Sequence, residues 1–413
     1  MTLTPFLQFA LALVIIILAA KSAGYLSYLI GQPSVLGELL AGIILGPSVL
    51  NFFHWPVFTD AQLEETIKHL AELGVLLLMF LAGLDLHLAD LRRSGKVAAG
   101  AGVLGVVFPL LLGAGTGLLF DIDLLPAIFI GLVLAATSVS ISAQTLMELK
   151  VLRSRVGVSL LGAAVFDDIL VVLGLSVFVA VSVSESQSGL MLVLLIVLRM
   201  VLYLGAATLV GLWLLPKLIH WIDKLQISQG LIAFTFVAAL LYGWSAESLG
   251  SMAAITGAFL AGLFMGRSRE KERIDSGIAT IAYSVFVPIF FVNVGLTANA
   301  RQLNAQTLWL FIAMILVAVV GKVLGAGLGG KIGGLTNRES LQIGVGMMSR
   351  GEVGLIVASV GIQEGLIMQE AFAVIVGVVI VTTLLTPPAL RYLFSHEDKI
   401  KSEDLKAVGG ERS

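Results

Sequence analysis

Apolar runs long enough to cross a membrane recur almost from end to end of this chain, and no other feature constrains its fold as strongly. A spanning helix takes roughly 20 apolar residues. Thirteen such runs can be drawn, at 5–30, 33–49, 66–86, 97–119, 124–148, 155–183, 189–216, 230–248, 250–266, 278–297, 305–330, 339–362 and 370–394. Lipid offers no hydrogen bonds, so each run must satisfy its own backbone as a helix. Composition agrees, since 58% of the 413 residues are hydrophobic and only 13% are charged. The expected fold class is an all-α membrane protein with about 13 transmembrane helices. The first run has no basic residue ahead of it and no clear small-residue cleavage site, so it reads as a retained span and not as a signal peptide.

Charges between the runs alternate in kind. Lys150, Arg153 and Arg155 mark one connection, Arg267, Arg269, Lys271 and Arg273 another, and Lys331 with Arg338 a third. Intervening connections are acidic or neutral, as at Asp60, Glu64 and Glu65 or at Asp121 and Asp123, with Lys68 and Arg301 as exceptions. The positive-inside rule makes the basic set cytoplasmic, which puts the N-terminus outside and the C-terminus inside. A net charge of -2 gives no sign of a nucleic-acid partner. Cysteine is absent, so disulfides, thiolate metal sites and cysteine nucleophiles are excluded. The five histidines lack metal-ligand spacing, and no strand leads into a glycine-rich nucleotide fingerprint, so no cofactor is expected.

Two runs are interrupted by small polar residues. The fifth contains Ala-Thr-Ser-Val-Ser-Ile-Ser at 136–142, and the twelfth contains Gly344, Gly346, Ser349, Arg350, Gly351 and Glu352. With the seventh run as a linker, the chain divides into two six-helix halves, inverted relative to each other, with their interruptions in matching places. Paired interruptions in inverted repeats mark transporter binding sites, because unwound backbone is tolerated where it faces a cavity.

Ionisable residues deep in apolar runs are functional hypotheses by default. Asp167 and Asp168 stand together near the middle of the sixth run, inside Ala-Ala-Val-Phe-Asp-Asp-Ile-Leu. Burial disfavours an ionised carboxylate, and a like charge next door disfavours a second ionisation. Such an acid can exchange a proton for a small hard cation; a hydrogen-bonded acid pair that stabilises packing is the plainer alternative. Lys322, inside the eleventh run, reads either as a counter-charge to one aspartate or as a snorkelling side chain. Two carboxylates and one ammonium leave one negative charge, suited to one monovalent cation. Arg350 and Glu352 read either as caps and a local salt bridge at the helix break or as participants in transport. Thr137, Ser138 and Ser140 offer hydroxyl and freed carbonyl oxygens, the hard ligands that Na⁺ requires, or cap helix ends. Glu38, Glu72, Asp85, Lys21 and Arg199 favour structural roles, and Pro288 is expected to kink its span.

Several stretches together resemble the cation/proton antiporter-2 family, and within it the two-aspartate, NapA-type bacterial sodium/proton antiporters. They are Gln32-Pro33, Gly37-Glu38-Leu39-Leu40-Ala41-Gly42, Gly46-Pro47, Ala136-Thr137-Ser138-Val139, Asp167-Asp168, Pro288-Ile289-Phe290-Phe291, Gly321-Lys322-Val323-Leu324-Gly325 and Arg350-Gly351-Glu352-Val353-Gly354-Leu355. The resemblance implies the NhaA/NapA-like fold, with crossed discontinuous helices, in a homodimer of the bacterial plasma membrane. Residues 1–86 and 230–297 would form a dimerisation domain, 97–183 and 305–394 a core transport domain, 189–216 a linker helix and 395–413 a cytoplasmic charged tail. It implies a transporter and not an enzyme. Asp168 would be the main carrier of Na⁺ and H⁺, Asp167 the partner of Lys322, and Thr137 with Ser138 nearby oxygen ligands.

The expected function is electrogenic sodium/proton antiport by alternating access. Extra hydroxyls at Ser140 and Ser142 leave Na⁺, Li⁺ and K⁺ open as substrates, so potassium/proton antiport is the same-class alternative. A cation channel would also use intramembrane acids, but the chain has no pore-loop filter run. An intramembrane aspartyl protease needs its two acids on facing helices, whereas these are consecutive on one.

Overall fold

The apolar runs form helices, and no strand occurs among the described residues. In this computed structural model those are residues 3–86, 93–183, 189–225, 227–297, 308–363 and 365–410. Helix α1 (Pro5–Leu29) begins where the Thr4 hydroxyl accepts from the Leu7 amide and Pro5 fills the first position, where its missing N–H is not needed. It is followed by α2 (Ser34–Leu45), α3 (Leu63–Asp85) and α4 (Gly95–Leu119). The fifth run is divided into α5 (Leu124–Ala135) and α6 (Val139–Glu148), and α7 (Arg155–Val183) carries both aspartates.

Helix α8 (Gly189–Leu209) enters α9 (Leu215–Asp223) through a π-helical turn, and after α10 (Gly230–Ser248) and α11 (Ala254–Met265), α12 (Lys271–Ile281) enters α13 (Val287–Leu296) in the same way. Each π-helical turn, Val210–Leu214 and Ala282–Phe286, lies just ahead of a proline, Pro216 or Pro288. A proline removes one helical hydrogen bond and crowds the preceding turn, and the widened turn accommodates it. Pro288 therefore deforms its span on the N-terminal side.

The last group is α14 (Leu308–Ile332), α15 (Asn337–Gly346), α16 (Glu352–Gln363) and α17 (Gln369–Gly410). Thr336 and Glu339 close a reciprocal capping box at the start of α15, the Thr-x-x-Glu pattern that opens many helices. Helix α17 continues to Gly410, past the edge expected at 394, because the charged tail contains no helix breaker before Gly409.

Ten helices among the described residues are long and apolar enough to cross a membrane, and three shorter apolar helices lie at Ser34–Leu45, Ala254–Met265 and Val353–Ile362. The densest packing falls in two groups that touch where α3 and α2 meet α6 and where α2 meets α17. Helix α3 packs on α11, α2 on α1 and α13, and α10 on α11, while α14 packs on α4 and α15 and α4 packs on α5 and α7. The closest approach positions the site. A Cβ on Gly325 would overlap the Leu104 carbonyl oxygen, and one on Gly329 the Gly100 carbonyl oxygen. Small residues allow backbones this near in a membrane, where apolar burial alone does not favour one helix over lipid. Helix α14 is thus pressed onto α4 along the segment that holds Lys322.

Candidate ion-binding site

The two interruptions meet. The Ser138 amide donates to the Ser349 carbonyl at 2.9 Å, and the Ser349 hydroxyl donates back to the Ser138 carbonyl at 2.5 Å. The Ser142 hydroxyl also donates to the Gly346 carbonyl. Backbone groups freed by unwinding α5/α6 and α15/α16 are therefore satisfied partly by each other, as burial away from water requires. Gly351 is needed where they meet, since a Cβ there would stand 2.5 Å from the Ser138 hydroxyl oxygen.

Arg350 holds the second break open. Its guanidinium donates to the Met348 carbonyl at 2.5 Å and to the Ala318 carbonyl of α14 at 2.9 Å, while the Thr383 hydroxyl donates to the Arg350 carbonyl at 2.5 Å. Met347 and Met348 follow the C-terminal end of α15, where unpaired carbonyls concentrate negative partial charge. Arg350 is thus placed where a cap for a half-helix would stand. The side chain of Glu352 lies outside the described residues.

Consecutive positions on a helix point about 100° apart, and the two aspartates use that divergence. Asp167 turns to α14, where its Oδ1 accepts from Lys322 Nζ at 2.5 Å. Both side chains are fully buried, at 1% and 0% exposure, which excludes snorkelling for Lys322. Asp167 Oδ2 has no hydrogen-bond partner among the described residues. Asp168, also buried, faces a cavity of about 10 Å³ lined by Met79, Val139, Leu161, Ala164, Val165, Ile255, Thr256 and Phe259. That volume is about the room one water occupies. Across it, the Thr256 hydroxyl donates to Asp168 Oδ2 at 3.2 Å.

Most residues singled out in the sequence thus meet at one place, with differing roles. The first break reaches the cavity through Val139. Ser138 and Ser140 are buried with their hydroxyl oxygens 3.0 Å apart, and the buried Thr137 hydroxyl has no hydrogen-bond partner among the described residues. Four of the five residues given structural readings have such partners: Lys21 donates to the Tyr283 carbonyl, Arg199 to the Ser248 and Leu249 carbonyls, Asp85 pairs with Arg153, and Glu72 lies 3.3 Å from His69 Nδ1. Two site residues were missed, Thr256 beside Asp168 and Thr383 beside Arg350. Their one sequence signal is a hydroxyl within an apolar run, a feature common in membrane helices.

Buried carboxylates beside a buried lysine, where two broken helices meet, define an ion-handling membrane protein. The chain belongs to the transmembrane sodium/hydrogen exchanger family, whose model matches residues 10–395. It is 36% identical over 392 residues to the Na(+)/H(+)-K(+) antiporter GerN of Bacillus cereus, covering 95% of this chain and 98% of that one. It is 35% identical over 386 residues to a Na(+)/H(+) antiporter of Enterococcus hirae, covering 94% and 98% respectively. Its fold is similar to that of the sodium proton antiporter MjNhaP1 of Methanocaldococcus jannaschii, with a TM-score of 0.72 at 16% identity over 97% of this chain and 98% of that one.

Proposed function

We propose that this protein is a secondary sodium/proton antiporter in which Asp168 alternately carries Na⁺ and H⁺. The observation that carries the reading is the division of labour between adjacent acids: Asp167 is neutralised by Lys322, while Asp168 faces a cavity with room for little more than one small ion. Freed oxygens at the break, with Thr137, Ser138 and Ser140, complete the ion's shell as the site opens. The chain crosses the plasma membrane thirteen times in two inverted repeats, N-terminus outside and C-terminus inside, and works as a homodimer. The two packing groups support a mobile core that carries the acids past a fixed dimerisation domain. The Bacillus cereus relative, named a Na(+)/H(+)-K(+) antiporter, makes K⁺ the second cation to test.

Exchange is electrogenic in this reading. Na⁺ displaces one proton from Asp168 and another from Lys322 as Asp167 turns to the ion, so two protons move per Na⁺ and one net charge crosses. A membrane potential then contributes about 2.3 kcal/mol per charge per 100 mV. Proteoliposomes with an internal pH dye, challenged in turn with Na⁺, Li⁺ and K⁺, should report cation-driven proton flux for Na⁺. The Na⁺ gradient that nulls this flux should shift when a K⁺/valinomycin potential is imposed in Na⁺ assays. Absence of flux with every cation rejects antiport; flux without a voltage shift rejects the two-proton cycle and leaves Lys322 as a fixed counter-ion.

A further inference from the structure

We propose that Thr256 is a coupling lock, a positioning residue that holds the empty, ionised Asp168 against the opposite helix group so that a carrier loaded with neither ion does not cross. The inference rests on the antiport reading above and concerns what prevents slippage within it. An exchanger that reorients while empty dissipates the gradient it should couple, so its unloaded state has to be held back.

Thr256 stands on α11, which packs on α3 and α10, whereas Asp168 stands on α7, which packs on α4. The hydrogen bond from the Thr256 hydroxyl to Asp168 Oδ2, at 3.2 Å, therefore joins the two groups at the ion site itself. The wall contributed by α3 and α11 is Met79, Ile255, Thr256 and Phe259, in which Thr256 is the sole polar residue. Both partners are buried, Thr256 at 3% and Asp168 at 6% exposure, so water competes little for the bond. Threonine in a membrane helix usually turns its hydroxyl back to a carbonyl one turn earlier, as Thr235 does to Leu231 at 2.8 Å and Thr382 to Val378 at 2.8 Å. Thr256, in the first turn of α11, points its hydroxyl at the acid instead.

The chemistry of the acceptor makes the bond sensitive to load. An ionised carboxylate accepts strongly from a hydroxyl, and charge-assisted bonds are about twice as strong as neutral ones. When Asp168 takes a proton, the charge is lost. When it takes Na⁺, its lone pairs turn to the ion. Either load loosens the tie to α11 and lets the core move, whereas the empty carboxylate keeps it.

The test uses proteoliposomes loaded with ²²Na⁺, held at zero potential and at an alkaline pH where proton-coupled efflux by the wild type has fallen off. Efflux into Na⁺-free buffer requires the carrier to return empty, whereas efflux into unlabelled Na⁺ does not. The ratio of the first rate to the second should rise about tenfold or more in Thr256→Val, the size expected for one hydrogen bond to a charged group. Thr256→Ser, which keeps the hydroxyl, should return the ratio to the wild-type value. If Thr256→Val does not fold, Thr256→Ala gives the same comparison. An unchanged or lower ratio in a variant that still exchanges ²²Na⁺ overturns the lock, as does a raised ratio in Thr256→Ser. Failure of the wild type to exchange ²²Na⁺ at all overturns the antiport reading itself, which separates the two failures.

Discussion

Replacing Asp168 by asparagine is expected to reduce Na⁺-driven proton movement to the level of protein-free liposomes while leaving the protein folded. Asparagine keeps the shape of the side chain, and its carbonyl oxygen still accepts from the Thr256 hydroxyl, so packing around the cavity has little reason to change. What it loses is the exchangeable proton and the charge that holds a cation. The contrast with Asp167 follows from their partners. Asp167 is tied to Lys322, whereas Asp168 opens on the cavity between the helix groups. Expression and melting temperature should stay near wild type, which separates lost chemistry from lost structure. A Na⁺-dependent dye response near the wild-type level in Asp168→Asn would sink the assignment.

The second large effect concerns stability. Lys322→Ala strands the buried Asp167 carboxylate without its cation, and removing one partner of a buried pair typically costs about 3–5 kcal/mol. Asp167→Asn strands the lysine in the same way. The double change removes both charges, so it should melt well above the sum of the single effects. The Arg153–Asp85 pair supplies an internal comparison, with side chains 60% and 34% exposed. Exposed pairs of this kind contribute about 0.2–1 kcal/mol, so a cycle there should show little coupling. Melting curves in detergent measure both cycles. Simple addition of the two single-site effects at Lys322 and Asp167 would show that the pair is not an energetic unit.

The parts of this site that were legible in the sequence are those that lipid makes expensive. A charged group deep in an apolar run is costly to place in lipid, and Asp167, Asp168, Lys322 and Arg350 stand out for that reason. The helix interruptions were legible because glycine and hydroxyl residues cluster there. Their meeting was not, because the Ser349–Ser138 contact joins positions 211 apart and depends on how the helix pairs stack. Arg350 was ambiguous because a guanidinium serves equally to cap carbonyls or to bind a carboxylate, and tertiary structure alone brings the Met348 and Ala318 carbonyls to it. Thr256 could not be separated from Thr235 and Thr382, which have the same chemistry and bond their own helices. The π-helical turns were signalled only by their prolines, whose local cost the sequence states and whose geometric remedy it does not.

Because one carboxylate accepts either ion, Na⁺ binding to the purified protein must release protons. Titrating Na⁺ into weakly buffered, detergent-solubilised protein with a pH dye, alongside calorimetry in buffers of different ionisation enthalpy, counts the protons displaced for each Na⁺ bound. Saturable release of two protons per Na⁺ is expected from the wild type, and none from Asp168→Asn. Na⁺ binding without proton release, or release that persists in Asp168→Asn, would contradict Asp168 as the shared carrier.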